Sequence, residues 1–250
     1  MNVMKYKEWS GWLFPAMGSF YTIFALLDYY YSSFSWHMFL LWLVSVGIFG
    51  WYFFTTRQRR GGSLSLGWPD VAILFGLLVL FAPLYLWRLQ QIPVQVNTDE
   101  LVLMGYFKSF SNSYWADPFG LMPDYFGLPS GVFILFGKII GLLGEVNLYH
   151  TRLVHASSGI AIILAGFGLF RQVLNRRWAV VATIVMGGNH SLIMISRMAM
   201  RDNTGLLIEL VALNFLILGL KRRSLFWMFV GGAFAGLSMY TYYPARIVLP

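Results

Sequence analysis

Cysteine is absent from the 250 residues, and charged residues are scarce, at 11% of the chain. The lack of cysteine excludes disulfides and thiolate metal sites. A soluble domain carries about 25% charged residues, so a large soluble core is not expected here. Hydrophobic residues make up 58% of the chain, and several apolar runs approach the ~20 residues that cross a bilayer as a helix. The composition predicts an all-α, polytopic transmembrane helical bundle.

The apolar runs predict about seven membrane spans. They cover approximately residues 11–27, 36–54, 70–87, 153–170, 178–195, 204–220 and 225–241. The first two spans form an N-terminal hairpin over residues 1–60. Gly61-Gly62-Ser63 then provides a short linker. We expect a second membrane domain over residues 70–250.

Acidic residues are outnumbered, with ten Asp and Glu against eighteen Lys and Arg, and the formal net charge is +8. In a soluble protein this charge would suggest nucleic-acid binding. In a membrane protein, basic loops instead set the orientation, and we expect no nucleic-acid partner. The basic clusters between spans are Arg57-Arg59-Arg60, Arg171-Arg176-Arg177 and Lys221-Arg222-Arg223. The positive-inside rule places all of them in the cytoplasm, which leaves most of the acidic residues outside.

Residues 129–143 form an apolar stretch that is short for a span. Segments of this length are more often interfacial or re-entrant. Lys138, in the middle of the stretch, can keep its ammonium group in water if the helix lies at the membrane surface. We therefore predict an interfacial helix within an external loop that runs from about Arg88 to Arg152.

Asp99 and Glu100 lie in this external loop, directly after Asn97 and Thr98. Asn or Thr caps a helix well, and acids are favoured in the first turn. The two carboxylates therefore either serve this helix alone or carry out chemistry at the membrane surface. Adjacent residues on a helix point about 100° apart. One carboxylate can then face a cavity while the other binds the backbone or a basic partner.

Two more outer connections carry concentrated polar groups. Residues 196–203 contain Arg197, Arg201 and Asp202, and residues 240–246 contain Tyr243 and Arg246. Arginines that snorkel and an aromatic belt would explain these residues structurally. An anionic ligand at the membrane surface would explain them functionally. No residue is assigned as a metal ligand, because lone histidines such as His155 and His190 more often have structural roles.

In their order along the chain, these features resemble the N-terminal half of the C-type glycosyltransferase superfamily. The shared features are the external Asp99-Glu100, Gly127-Leu128-Pro129-Ser130-Gly131 before a surface helix, Leu148-Tyr149-His150-Thr151-Arg152, Ser196-Arg197 with Asp202, and Tyr242-Tyr243-Pro244-Ala245-Arg246. The chain most resembles glycosyltransferase family 39, which includes protein O-mannosyltransferases and lipid A aminoarabinose transferases. The resemblance covers about residues 70–250.

The resemblance implies an integral-membrane glycosyltransferase. Such an enzyme transfers a sugar, with inversion, from a polyprenyl-phosphate donor to a lipid, glycan or protein acceptor on the outer face of the membrane. Asp99 and Glu100 are the implied catalytic acids, with Asp99 activating the acceptor. The expected substrate-binding residues are Arg152, Arg197, Arg201, Asp202, Tyr243 and Arg246. No cofactor is certain, and participation of a divalent metal is left open.

The resemblance also implies a multi-pass protein in contact with membrane lipids, in the plasma membrane of a prokaryote. Family members usually continue for several hundred residues, so residues 70–250 are expected to be a truncated N-terminal part of the membrane domain. The alternatives are a transporter or flippase for lipid-linked sugars, an assembly partner, or an inactive truncated remnant. Transporters often have midplane sites and paired repeats, whereas the polar residues here concentrate on one face.

Overall fold

The structure is a computed structural model. It describes residues 16–20, 23, 36–55, 67–112, 121–122, 128–129, 131–238 and 240–241. The described elements, in chain order, are α1 (Trp36–Thr55), α2 (Trp68–Leu86), α3 (Thr98–Asn112), β1 (Leu121–Met122), β2 (Leu128–Pro129), α4 (Gly131–Leu143), α5 (Leu148–Val173), α6 (Arg176–Gly187), α7 (His190–Arg197), α8 (Asp202–Arg222) and α9 (Leu225–Ser238). The short antiparallel pair of β1 and β2 joins Leu121 to Pro129 and Met122 to Leu128.

Among the described helices, α2, α5 and α8 are long and apolar enough to cross a membrane. The bent pair of α6 and α7 adds a fourth candidate if it is counted as one span. The predictions for residues 70–87 and 204–220 agree with α2 and α8 to within two residues. The all-α membrane fold is confirmed, but the number of seven spans is not. Most of the first predicted span, 11–27, lies outside the described residues.

The predicted span 178–195 differs from a single straight helix. A bend of 56° separates α6, which ends at Gly187, from α7. Asn189 caps α7 by accepting hydrogen bonds from two backbone amides. The hydroxyl of Tyr85 donates to the carbonyl of Gly187 over 3.0 Å. Exposed main-chain groups are costly in an apolar medium, and this bond satisfies the carbonyl within the protein.

Two apolar clusters hold the described helices together. The first joins α2, α5, α6 and α7 through Leu77, Phe81, Tyr85, Ile160, Ile162, Ile163, Phe167, Ala179 and Leu192. The second joins α3 and α4 to α5 and α8 through Leu103, Phe107, Val132, Phe133, Phe136, Ile140, Val154 and Ile208. Val154 and Ile208 each lie near the start of their helix. The pair of α3 and α4 therefore covers the end of the bundle where α5 and α8 begin.

Ion pairs with a buried carboxylate lie at the two ends of α5. At its start, Arg152 pairs with Glu100. Near its end, Arg171 and Arg176 both bind the buried carboxylate of Asp70, at 3.0 and 2.9 Å. Arg152 and Arg171 are nineteen residues apart, or about 28 Å along a helix. This separation is close to the ~30 Å thickness of the hydrocarbon core of a bilayer.

Candidate active site

Asp99 and Glu100 are adjacent in the first turn of α3 but have different surroundings. Glu100 is fully buried, whereas the side chain of Asp99 is 36% exposed. The side-chain oxygen of Asn97 accepts a hydrogen bond from the backbone N–H of Asp99 over 3.2 Å. This contact satisfies one amide of the helix start. The separation of about 100° between neighbouring helical residues accounts for the two environments.

Glu100 and Arg152 form a two-point ion pair that is closed to solvent. Nε of Arg152 donates to Oε1 of Glu100 over 2.6 Å, and Nη2 donates to Oε2 over 3.0 Å. Both side chains are fully buried. Asn147 caps α5 through the backbone N–H of His150 and so fixes the turn that carries Arg152. The pair links the start of α3 to the start of α5, 52 residues apart in sequence.

The remaining donors of Arg152 bind the main chain of the connector between α2 and α3. Nη1 donates to the carbonyls of Leu89 and Pro93 over 2.8 and 3.0 Å, and Nη2 donates to the carbonyl of Gln95 over 3.3 Å. A guanidinium group has five N–H donors, and all five have acceptors here. Arg152, predicted as a substrate ligand, thus has a complete set of partners within the protein.

Arg197, in the last turn of α7, binds the same connector from another side. It donates to the carbonyls of Leu84 and Trp87 over 2.7 and 2.6 Å, and to the carbonyl of Ile92 over 3.0 Å. The carbonyls of the last helical turn have no intrahelical partner, and Arg197 provides one at the end of α2. Together the two arginines hold six carbonyls of residues 84–95. Like Arg152, Arg197 contacts the main chain where the sequence predicted a substrate contact.

Asp99 lies beside the connection between α7 and α8. Nη2 of Arg201 is 3.8 Å from Oδ2 of Asp99, and the Arg201 side chain is 14% exposed. Nδ2 of Asn97 lies 4.0 Å from the sulfur of Met200. Two of the predicted outer connections therefore meet, and their contact brings the exposed acid next to an arginine. Tyr243 and Arg246, in the third connection, lie outside the described residues.

Asp202 begins α8 at the same end of the bundle and is partly exposed. The next residue, Asn203, is buried and fixes this helix start. Its Nδ2 donates to the carbonyl of His155 over 2.7 Å, and its Oδ1 accepts a hydrogen bond from Ser196 over 3.4 Å. Apart from Arg246, the sequence assigned three arginines and three acids to this site. Their formal charges cancel.

His155 is buried among contacts that suit a structural role. Its Nδ1 lies 3.0 Å from the carbonyl of Thr151, and its ring packs against Phe107 and Phe136 at centroid distances of 5.8 and 5.4 Å. No group of three or more potential metal ligands occurs among the described residues. Because Glu100 is engaged by Arg152, the predicted acids that are partly open to a cation are Asp99 and Asp202.

The comparison with known families gives one match. Residues 131–250 match the family described as dolichyl-phosphate-mannose-protein mannosyltransferase. This part of the chain, slightly under half of its length, is similar to that family. The match confirms the resemblance to glycosyltransferase family 39 and includes Arg152, Arg197, Arg201 and Asp202. No curated protein and no solved structure matches the chain.

The family match and the apolar helices support a multi-pass membrane protein that is similar to glycosyltransferases of family 39. The sequence did not reveal the contribution of Asn203, although an amide directly after Asp202 was visible. It also did not reveal that Tyr85 binds the break between α6 and α7. In both cases the partner is distant in sequence, and no local pattern marks the contact.

Proposed function

We propose that this family 39 protein transfers a sugar from a polyprenyl-phosphate donor to an acceptor hydroxyl or amine, with Asp99 as the general base. The observation that carries this proposal is the position of Asp99. Its side chain is partly exposed and lies 3.8 Å from Arg201. Asp99 belongs to a helix start that the buried Glu100–Arg152 pair holds in place. A mobile carboxylate on a free loop would lack this fixed geometry.

In the proposed reaction, the carboxylate of Asp99 takes the proton of the acceptor. The acceptor oxygen or nitrogen forms a bond to the anomeric carbon. The bond from this carbon to the phosphate oxygen breaks, and its electron pair leaves with the lipid phosphate. A single displacement of this kind inverts the anomeric configuration. General base catalysis of this kind contributes typically ~10²–10⁴ in rate.

The departing phosphate needs positive charge at the membrane boundary. Arg201 is the arginine nearest to Asp99 among the contacts described above, and guanidinium groups bind phosphate through charge-assisted hydrogen bonds. We assign Arg201 to the phosphate. Arg246 and Tyr243 remain proposed donor ligands, and Asp202 is proposed to orient Arg201 or the sugar hydroxyls. A divalent cation, if used, would be held by Asp99 and Asp202.

Glu100, Arg152 and Arg197 are proposed as positioning residues. The hydrogen bonds of the Glu100–Arg152 pair and of Arg197 go to each other or to main-chain carbonyls. Their role is to fix the connector and the start of α3, and hence the direction of Asp99. Active-site geometry held by a packed supporting layer loses rate when that layer shifts by about 1 Å.

We place the reaction at the outer face of a prokaryotic plasma membrane. The basic Lys221-Arg222-Arg223 cluster lies at the opposite end of α8 from Asp202. The positive-inside rule supports a cytoplasmic position for that cluster. The end of the bundle with Asp99 then faces outwards, where a lipid, glycan or protein acceptor is reached.

The test is sugar transfer by membranes that contain the full-length chain with Asp99→Asn. Labelled polyprenyl-phosphate sugars are supplied, and product formation is followed. We expect transfer to fall by ~10²–10⁴ because the base is lost. The matched control is Glu145→Gln, an exposed acid at the same end of the bundle, for which transfer should be unchanged. Unimpaired transfer by Asp99→Asn at normal protein level would remove Asp99 as the base.

One observation favours a transporter as the second candidate. Broken helices often form the substrate sites of transporters, and α6 and α7 are bent by 56°. In this chain, however, the Gly187 carbonyl at the break is bound by Tyr85. Proteoliposomes with a labelled lipid-linked sugar in one leaflet separate the two functions. Movement between leaflets without an acceptor would support transport, and its absence together with transfer would support the enzyme.

A further inference from the structure

A polar groove lies away from Asp99, between α3, α4 and the turn before α5. Its volume is about 1080 Å³, and its lining includes Lys108, Ser111, Lys138, Leu142 and Glu145. Asp99 and Lys108 are nine residues apart on α3, or about 13 Å along the helix axis. The groove is therefore separate from the position at which Asp99 would meet an acceptor.

Close packing of α3 against α4 shapes this groove. A Cβ atom at Gly137 would lie 2.8 Å from Cβ of Phe110, and one at Gly141 would lie 3.0 Å from Cβ of Ser111. The two glycines are one helical turn apart, so the helices approach along a face without side chains. Lys138 lies next to this contact, and its ammonium group donates to the Ser111 carbonyl over 3.4 Å.

The turn at the other edge of the groove is also fixed. Gly144 has a φ of 136°, which favours glycine because other residues are strained there. The carbonyl of Glu145 lies 2.7 Å from Nδ1 of His150, and Asn147 accepts a hydrogen bond from the backbone N–H of His150. The shape of the groove is thus set by the folded chain before any ligand binds.

Charge and exposure in the groove indicate the chemistry of its ligand. Among the described residues, two lysines and one carboxylate line it. Leu142, at its edge, is 89% exposed, and it shares a face of α4 with Leu135 and Ile139, which are also exposed. Ammonium groups beside apolar side chains at a membrane boundary fit an anionic headgroup with an attached acyl chain.

We propose that this groove binds the phosphate headgroup of an anionic membrane lipid. Lys108 and Lys138 contact the phosphate, and the acyl chain follows the exposed leucine edge of α4. The lipid would anchor the pair of α3 and α4, which carries Asp99, against the bilayer. The proposal concerns a lipid other than the sugar donor and does not depend on the transfer reaction.

The test uses the full-length protein in nanodiscs containing phosphatidylglycerol with a photoreactive group in its acyl chain. Labelled peptides are mapped by mass spectrometry after illumination. We expect labelling around Leu142, and a loss of about 30-fold in the double variant Lys108→Gln, Lys138→Gln, since a basic residue near an anionic surface contributes about fivefold to binding. Lys221→Gln, at the other end of the bundle, is the matched control and should leave this labelling unchanged.

A phosphatidylcholine probe with the same acyl chain tests the role of charge. Equal labelling by this zwitterionic lipid, or unchanged labelling of the double lysine variant, would overturn the proposal. Leu142→Gln provides a second variant that removes little packing, because the side chain is exposed. It should reduce labelling several-fold.

Inorganic phosphate distinguishes a lipid site from a site for a free anion. Protection by millimolar phosphate as complete as protection by excess unlabelled phosphatidylglycerol would overturn a lipid site. Protection by the lipid alone is the expected result. Because no sugar donor is present, this experiment can fail while the assignment of Asp99 holds, and the reverse is equally possible.

Discussion

Breaking the Glu100–Arg152 pair should cost more than losing an ordinary surface ion pair. Both groups are fully buried and joined at 2.6 and 3.0 Å. In Glu100→Leu, the Arg152 guanidinium stays buried without its counter-charge, and removing one partner of a buried pair costs about 3–5 kcal/mol. We expect a loss of this size in the free energy of unfolding. An exposed ion pair would contribute ~0–1 kcal/mol.

Arg152→Met should be more destabilising than Glu100→Leu. It leaves Glu100 buried without a partner and also removes the hydrogen bonds to the carbonyls of Leu89, Pro93 and Gln95. At about 1 kcal/mol net for each hydrogen bond, these three bonds add about 3 kcal/mol. The double variant removes both charges, so it should recover part of the loss but remain about 3 kcal/mol below the parent protein.

The assay is reversible unfolding in mixed detergent micelles, followed by tryptophan fluorescence, for the parent, both single variants and the double variant. On these figures the double variant should lose less than the sum of the two single variants by about 6–10 kcal/mol. Glu145→Gln, an exposed acid at the same end of the bundle, controls for the loss of a carboxylate. Losses below about 1 kcal/mol for both single variants, or additive losses in the double variant, would refute the argument that this pair holds α3 in place.

Three further predictions concern packing and orientation. Gly159→Ala should lower stability by about 1–3 kcal/mol, because its Cβ would clash with Oγ of Ser196 in α7. Gly236→Ala meets nothing within 4 Å and should be neutral or stabilising. Thermal unfolding of both variants checks this difference in sign. Tyr85→Phe should cost about 1–3 kcal/mol by the same assay, because it leaves a buried carbonyl at the break unpaired. The parent chain has no cysteine, so Asn112→Cys and Arg177→Cys can be labelled alone in intact cells; an impermeant maleimide should react only with the first, and equal labelling would contradict the proposed orientation.

Much of the helical framework was predictable because hydropathy acts over whole segments. The limits of α2 and α8 follow from long apolar runs that end in polar residues. The break in the span predicted at 178–195 was missed because hydropathy averaged over the whole segment hides a local break. Gly187 and Asn189 carry the local signals of a helix end and a helix start. The contact that stabilises the break comes from Tyr85, 102 residues earlier.

The location of the candidate site was predictable, but the roles of its residues were only partly so. Acids and arginines in the connections predicted to be external indicated one end of the bundle, and Asp99 and Arg201 do lie together there. The sequence did not show that Arg152 and Arg197 bind carbonyls. That outcome depends on where the connector of residues 87–97 passes in three dimensions. A guanidinium group can donate to a phosphate or to main-chain carbonyls. The identity of the residue therefore does not decide which of the two it binds.

The way in which Arg152 and Arg197 hold the connector has a consequence for how freely its sequence can change. Both arginines contact its main-chain oxygens, and side chains such as Gln90, Gln91 and Val94 are exposed. The path of the chain therefore depends on two distant residues, and its exposed side chains have few constraints of their own. Saturation mutagenesis should find that positions 90, 91 and 94 accept most substitutions, and that the two arginines accept almost none.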